Sequence, residues 1–289
     1  MTVLLVAVFT PFSVAAVYQI EAHSNDSLRA MPTLERFETK IEEILDIEYT
    51  DTVRVVIASD MPSFNAALGG AFPDWGAAAA IADRKLIVIK SPSSFNVGKS
   101  LEELLGHELG HLMLDAASDG RQLPRWFEEG FCQLISGEWR IDSDLRVTLA
   151  VWGSGLIHLA ALDRVNHFGG AKASLAYAQS YLAVSSLVQE FGLELIPDFL
   201  TNYRASGNLY EAFFESTGYR YMEWINLWQK KTVDRYRLVL YIFDPSILFP
   251  LIAILFLLLY LIKIYYMRKK KKKWELEERY KSDEQGLST

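Results

Sequence analysis

The sequence predicts an α+β fold, in which a small N-terminal sheet precedes a mainly helical body and a C-terminal transmembrane helix. The β-branched run at residues 53–57 indicates a strand, and apolar residues at three- and four-residue steps over 101–112 indicate a helix. An uncharged stretch at 245–262 is long enough to cross a bilayer. With 289 residues, 51% hydrophobic and 22% charged, the chain holds one or two packed domains and is not wholly disordered.

The N-terminal segment, residues 1–20, is predicted to be a signal peptide or an N-terminal anchor. It carries no charged side chain, and the apolar run at 4–17 has the length of a signal-peptide core. Val14-Ala15-Ala16 offers small residues for cleavage after Ala16. No Lys or Arg precedes the apolar run, so the signal-peptide pattern is incomplete, and an uncleaved anchor is the competing interpretation. Both interpretations remain open at this point.

The C-terminal segment is predicted to span a membrane at residues 245–267. Its 18 uncharged residues, 245–262, extend about 27 Å as a helix, close to the thickness of a hydrocarbon core. Six consecutive basic residues, 268–273, follow directly and predict a cytoplasmic tail over 268–289. The body is then expected outside the cytoplasm, at the cell membrane. Membrane lipid is a predicted partner of this helix and of the lysine run, whereas the net charge of −7 argues against nucleic acid.

Between these segments we expect one domain over residues 30–235. Residues 34–47 have helical spacing, and 77–82 and 86–90 flank Asp83-Arg84-Lys85 as in a hairpin. Asp119-Gly120 ends the helix that begins near residue 97, and Pro124 opens the next one. Further helices are predicted at 171–191, 193–203, 209–214 and 221–238.

One motif carries chemistry, the sequence His107-Glu108-Leu109-Gly110-His111. On a helix, residues four apart share a face, so the two imidazoles can bind one Zn²⁺ at about 2.0–2.1 Å. Glu108 starts from the next position round the helix, where its longer side chain reaches a water molecule beside the metal. The motif therefore predicts a zinc site with Glu108 as the general base.

Catalytic zinc needs a third protein ligand and an open fourth position. Glu128 and Glu129 are the candidates, because a turn at Asp119-Gly120 would bring their helix back against the first. From the spacing alone either residue fits. Asp115 lies one turn beyond His111 and could accept the other ring N–H, which would fix the tautomer. Cys132 is predicted to be a small buried residue rather than a ligand.

These residues resemble the gluzincin zinc metallopeptidases, specifically the peptidase MA-like domains, which are distant relatives of M1 aminopeptidases and of thermolysin. The matching residues are His-Glu-Leu-Gly-His and Leu-Pro-Arg-Trp-Phe-Glu-Glu-Gly-Phe, within a likeness that covers residues 50–205. The resemblance implies that Glu129, directly before Gly130, is the third zinc ligand. It also implies that a strand at 86–90 is the sheet edge that pairs with extended substrate.

A downstream segment, residues 177–192, is similar to the M1 segment of the form Tyr-x-Lys-Gly. The resemblance implies that Tyr177 binds the oxyanion of the tetrahedral intermediate, with Tyr181 as a second candidate. This chain departs from the pattern, because Gln179-Ser180 stands where Lys-Gly is expected.

The resulting hypothesis is a membrane-anchored zinc peptidase that hydrolyses peptides or proteins outside the cytoplasm. The alternative is a catalytically inactive anchored ectodomain that keeps the fold as a binding module. The acidic residues that flank the two histidines on the same helix, at 102, 103, 115 and 119, argue strongly against an intramembrane protease.

Overall fold

The computed structural model describes residues 16–22, 26–70, 76–138, 141–243 and 245–286, and it confirms the predicted fold class. Its four strands form one mixed sheet in the order β1-β2-β4-β3. Strands β1 and β2 are parallel, as are β2 and β4, whereas β3 runs antiparallel to β4. Their bounds are β1 Val17–Ala22, β2 Thr52–Ala58, β3 Ala78–Ile81 and β4 Leu86–Lys90.

Ten α-helices within the described ranges make up the rest of the fold. Helix α4 packs against both α3 and α6, and α1 packs on α3 and on β1. The long helix predicted at 171–191 and its end at Gly192 are confirmed. The bounds are α1 Asp26–Leu45, α2 Met61–Leu68, α3 Leu101–Ala117, α4 Arg125–Ser136, α5 Ile141–Trp152, α6 Gly170–Phe191, α7 Leu195–Ser206, α8 Leu209–Thr217, α9 Tyr221–Phe243 and α10 Pro245–Gly286.

The predicted hairpin is confirmed, but the prediction that its second strand, residues 86–90, is the edge of the sheet is wrong. A 3₁₀ turn at Ala82–Arg84, followed by Lys85 at φ +45°, joins β3 to β4. Strand β4 lies between β2 and β3, and all five of its residues are buried. The edge next to the H-E-x-x-H helix is therefore β3, which contacts α3.

Three elements were not predicted, namely β1, α2 and α5. Strand β1 begins at Val17 and pairs in register with β2, with Tyr18 opposite Val53. The first fifteen residues of the predicted signal peptide or anchor lie outside the described residues, as does the turn expected at Pro73-Asp74.

The chain divides into two compact units, residues 1–233 and 234–289. The second unit contains α10, in which the most apolar 18-residue stretch of Ser246–Lys272 has a mean hydropathy of 2.8 and is not buried. By length and composition, α10 can cross a membrane, and it fits a membrane anchor.

Candidate metal centre

Helix α3 carries the paired histidines and is fixed at both ends. The Ser100 hydroxyl accepts a hydrogen bond from the Glu103 amide, and the Glu103 carboxylate accepts one from the Ser100 amide, which forms a capping box. At the far end, Asp119 and Gly120 adopt positive φ angles and stop the helix, as predicted. Most of the intervening residues, His107 and Glu108 among them, are buried.

Helix α4 begins after Pro124, as predicted, and packs closely against both neighbours. A Cβ atom on Gly130 would lie 2.2 Å from the backbone oxygen of Ser180 on α6. A Cβ atom on Gly110 of α3 would lie 3.1 Å from Cys132 Sγ. Only glycine therefore allows these helices to approach so closely at position 130. Cys132 fills the α3–α4 contact as a small buried residue, and burial raises the pKa of its thiol.

This packing brings His107, His111 and Glu129 together, with one ligand atom from each within 4.8 Å of the others. The two Nε2 atoms lie 3.3 Å apart, and Glu129 Oε2 lies 3.2 Å from His107 Nε2 and 3.8 Å from His111 Nε2. A tetrahedral zinc ion with bonds of about 2.0–2.1 Å would separate its ligands by about 3.3 Å. The three spacings therefore fit a tetrahedral ion.

The chemistry of the donor set supports the same conclusion. Glu129 is 2% exposed, and its Oε2 atom is buried with no hydrogen-bond donor among the described residues. A buried acceptor without a donor is costly, and a cation would satisfy it. Two imidazole nitrogens and one carboxylate oxygen are ligands that zinc prefers.

Arg125 orients the carboxylate of Glu129. Its Nη2 atom lies 2.5 Å from Glu129 Oε1, one helical turn away, which leaves Oε2 to face the imidazoles. Glu128 instead faces Arg125 Nη1 at 3.3 Å and stays 24% exposed. Of the two carboxylates that the spacing left open, Glu129 is the one that lies beside the histidines.

Glu138 supports His107 from the side opposite the three converging atoms. Its Oε1 atom lies 2.8 Å from His107 Nδ1, and its Oε2 atom lies 2.5 Å from Lys99 Nζ. Glu138 is 8% exposed and follows Gly137, which ends α4 at φ +75°. Sequence reasoning missed Glu138 and Lys99, because neither lies at helical spacing from a ligand.

Asp115 does not occupy the predicted position. Within the described part of the chain, no hydrogen bond or ion pair joins its carboxylate to His111, and the contacts formed by Asp115 are made by its backbone oxygen near the end of α3. The carboxylate that contacts a candidate ligand ring is Glu138, on His107.

The charges of the site favour a cation. Burial lowers the pKa of His111 to about 3, which keeps this imidazole neutral with its lone pair available. Burial also lowers the pKa of His107, but the negative charges of Glu138 and Glu129 outweigh it and raise this pKa to about 10. The carboxylates that attract a proton to His107 would equally attract a metal ion.

Glu108 is 7% exposed, and its carboxylate forms no hydrogen bond or ion pair with the described residues. Burial raises its pKa to about 7, which the charge of His107 partly offsets. A carboxylate with a pKa near neutrality is suited to accept a proton from water and to release it again.

Tyr177 on α6 is half-buried, and its carbonyl oxygen accepts a hydrogen bond from Gln133. Gln133 also donates to the Glu129 carbonyl, so one side chain joins α4 to α6 beside the site. Burial and then the charge of Glu129 raise the pKa of the Tyr177 phenol, so the hydroxyl stays protonated and lies within electrostatic reach of Glu129. Tyr181 lies one turn further along α6.

The two residues that depart from the Tyr-x-Lys-Gly pattern both have structural contacts. Gln179 is fully buried and pairs with the backbone of Ile157, accepting from its N–H at 2.9 Å and donating to its carbonyl at 2.6 Å. Ser180 presents its carbonyl to Gly130. Gln179 thereby holds the chain segment that leads from α5 into α6.

A small mixed sheet, a buried H-E-x-x-H helix and a carboxylate from the next helix together define a metallopeptidase-like fold. The family model of the Peptidase MA superfamily matches residues 42–234, and the chain therefore belongs to this superfamily. The superfamily is generally zinc-dependent, and the His-His-Glu cluster lies inside the matched region. A comparison with curated proteins finds no match.

Proposed function

We propose that this protein is a zinc-dependent peptidase, anchored in a membrane by α10, that hydrolyses peptide bonds outside the cytoplasm. The observation that carries the proposal is the convergence of His107 Nε2, His111 Nε2 and Glu129 Oε2 at spacings that fit one tetrahedral ion. His107, His111 and Glu129 would hold the zinc. Bound there, zinc supplies Lewis-acid polarisation of the scissile carbonyl and of water.

The residues around the ion supply the remaining chemistry. Glu108 takes a proton from the attacking water and passes it to the leaving amine, because its pKa near 7 permits both transfers. The Tyr177 phenol stays protonated and donates to the oxyanion that develops on the carbonyl oxygen. Glu138 holds the imidazole of His107 through Nδ1 and so keeps Nε2 directed at the ion.

The sheet offers a place for an extended peptide. Strand β3 pairs on one side with β4, lies at the edge of the described sheet and contacts α3. An edge strand binds a peptide through main-chain hydrogen bonds, which suits a peptide or protein substrate. The small side chains of Ala78, Ala79 and Ala80 leave that backbone open to approach.

The test uses the full chain in detergent, with zinc counted by mass spectrometry and hydrolysis followed on a library of quenched fluorescent peptides. We expect about one zinc per chain and hydrolysis that a chelator abolishes. Glu108→Gln should keep the zinc and lose at least about 100-fold in rate. Glu190→Gln, an exposed substitution on α6, serves as the matched control and should change neither.

Two results would contradict the proposal. Full activity of Glu108→Gln would remove the assigned base. Stoichiometric zinc with no cleavage of any peptide would favour the inactive binding ectodomain over the peptidase.

Orientation needs a separate measurement. We expect external protease added to intact cells to digest the domain and to spare the tail that follows Arg268, since basic residues flank the cytoplasmic side of a span. Digestion of the tail alone would reverse the proposed orientation.

A further inference from the structure

The N-terminal end of the described chain meets a buried carboxylate. The backbone nitrogen of Ala16 donates to Glu38 Oε1 at 2.8 Å, and the Tyr18 hydroxyl donates to Glu38 Oε2 at 2.8 Å. Glu38 is 5% exposed, and Ala16 packs against the core. Ala16 therefore occupies a defined place beside Glu38.

The surroundings of Glu38 lack a positive charge. Among the described residues, no Lys, Arg or His nitrogen lies within ion-pair distance of its carboxylate. The groups whose charges act together with Glu38 on the Tyr18 phenol are Tyr49 and Glu42, which are neutral or acidic. Buried carboxylates are normally paired with a cation, because the cost of removing the charge from water is otherwise uncompensated.

A cut between Ala15 and Ala16 would supply that cation. We propose that a signal-peptidase-type endopeptidase makes this cut and that the new α-ammonium group of Ala16 forms a buried ion pair with Glu38. Ser13 and Ala15 place small residues at the third and first positions before the cut, as such enzymes require. Hydrolysis breaks the Ala15–Ala16 C–N bond, with water supplying the oxygen of the new Ala15 carboxylate and the two protons that convert the Ala16 N–H into an α-ammonium group.

The structure distinguishes this cut from one after Ala16. Removal of Ala16 would take away the donor to Glu38 Oε1 and leave that buried oxygen with one fewer partner. The Val17 nitrogen is directed at the Asp51 carbonyl, 3.2 Å away, and not at Glu38, so a chain that began at Val17 would place its ammonium group elsewhere. The position of the carboxylate therefore selects Ala16 as the first residue of the mature chain.

The ion pair would reach the metal centre through one packing contact. Glu38 follows Phe37 on α1, and the Phe37 ring lies so close to Gly106 that a Cβ atom there would be 2.6 Å from it. Gly106 directly precedes His107. An ordered N-terminus would therefore fix α1 against the helix that carries the histidines.

The first experiment determines where the protein begins. The full chain is produced in a secreting host, purified from membranes and digested, and its N-terminal peptide is identified by mass. A peptide that begins at Ala16 supports the proposal. A retained leader, or a peptide that begins at Val17, overturns it.

The second experiment measures the ion pair itself. Two chains are compared by thermal melting in detergent, one beginning at Ala16 and one with Gly-Ser placed before Ala16, which moves the ammonium away from Glu38. We expect the first to melt roughly 2–6 °C higher. Glu38→Gln should abolish the difference, whereas Glu43→Gln, an exposed change on the same helix, should preserve it. Equal melting of the two chains, or a difference that survives in Glu38→Gln, overturns the ion pair. Neither experiment measures peptidase activity. A failure of the proposed cut or ion pair can therefore be distinguished from a failure of the proposed function.

Discussion

Replacement of Glu138 tests whether a carboxylate outside the ligand set controls metal affinity. Glu138 contacts His107 Nδ1 at 2.8 Å and Lys99 at 2.5 Å while 8% exposed, so its loss removes the group that sets the ring's tautomer and orientation. Loss of such a partner costs about 10–100-fold in metal affinity. A tenfold change is about 1.4 kcal/mol, so the range corresponds to about 1.4–2.8 kcal/mol of binding free energy.

The assay is a competition titration of zinc against a coloured chelator, run on the unaltered protein, Glu138→Ala and Glu138→Gln. Glu138→Ala should show the full loss of affinity. Glu138→Gln should show less, since its amide oxygen keeps an acceptor beside His107 Nδ1. Lys99→Met leaves the contact between Glu138 and His107 in place and should have a smaller effect than Glu138→Ala.

Glu190→Gln is the surface control for these measurements, and melting of the metal-free proteins checks that each variant is folded. If folded Glu138→Ala binds zinc within threefold of the unaltered protein, the ring of His107 is held by other contacts and the reasoning fails.

Three further predictions concern packing, metal and membrane. Gly130→Ala should destabilise the fold by about 1–3 kcal/mol in urea unfolding, because its Cβ would lie 2.2 Å from the Ser180 carbonyl, whereas Gly170→Ala, which has open space, should cost far less. Zinc at 100 times its dissociation constant should stabilise the folded protein by about 2.7 kcal/mol, seen as a higher melting temperature that a chelator reverses. Leu258→Arg, in the middle of the apolar helix, should raise the insertion free energy by about 2.5–3.5 kcal/mol and lower the membrane-bound fraction after alkaline extraction, whereas Trp274→Arg, beyond the lysine run, should not.

Each of these has a result that contradicts it. Equal urea midpoints for Gly130→Ala and Gly170→Ala would mean that α4 and α6 can move apart without lowering the free energy of unfolding. A melting temperature that does not respond to zinc would remove the metal from the folded structure. An unchanged membrane fraction for Leu258→Arg would mean that α10 is not the anchor.

The two histidines of the candidate metal centre were predictable because their spacing along one helix is visible in the sequence. His107 and His111 lie four residues apart on a helix that is capped by Ser100 and ends before Asp119-Gly120. Helical spacing converts that pattern into a shared face without any knowledge of the tertiary structure. The Glu-Gly pair was informative through the family resemblance alone, and the structure shows that its glycine, Gly130, lies where α4 meets α6.

Glu138 was not predictable in this way. It lies beyond the end of α4, and its approach to His107 depends on the left-handed turn at Gly137 and on the packing of α3 against α4. A contact between residues so far apart in the sequence produces no periodic pattern from which it could be predicted. The contact between Ala16 and Glu38 was not predictable either. Residues 17–20, which begin β1, continue the uncharged N-terminal segment, so the sequence does not mark where the strand begins.

The sequence contained a pattern that argues against residues 86–90 as the edge of the sheet. Residues 86–89 form an uninterrupted apolar run, Leu-Ile-Val-Ile, which is typical of a strand covered on both faces. An edge strand more often has smaller or alternating side chains, and β3 consists of three alanines and an isoleucine.

The bridge formed by Gln133 has a consequence for how substrate preference could diverge in such proteins. Since this amide clamps the main chain of Glu129 to that of Tyr177, a shift of α6 carries the phenol and the metal ligand together. Glu129 and Tyr177 are therefore fixed relative to one another. Under the proposed peptidase function, substitutions in β3 or between α5 and α6 could change which peptide is bound without changing the distance between these two residues.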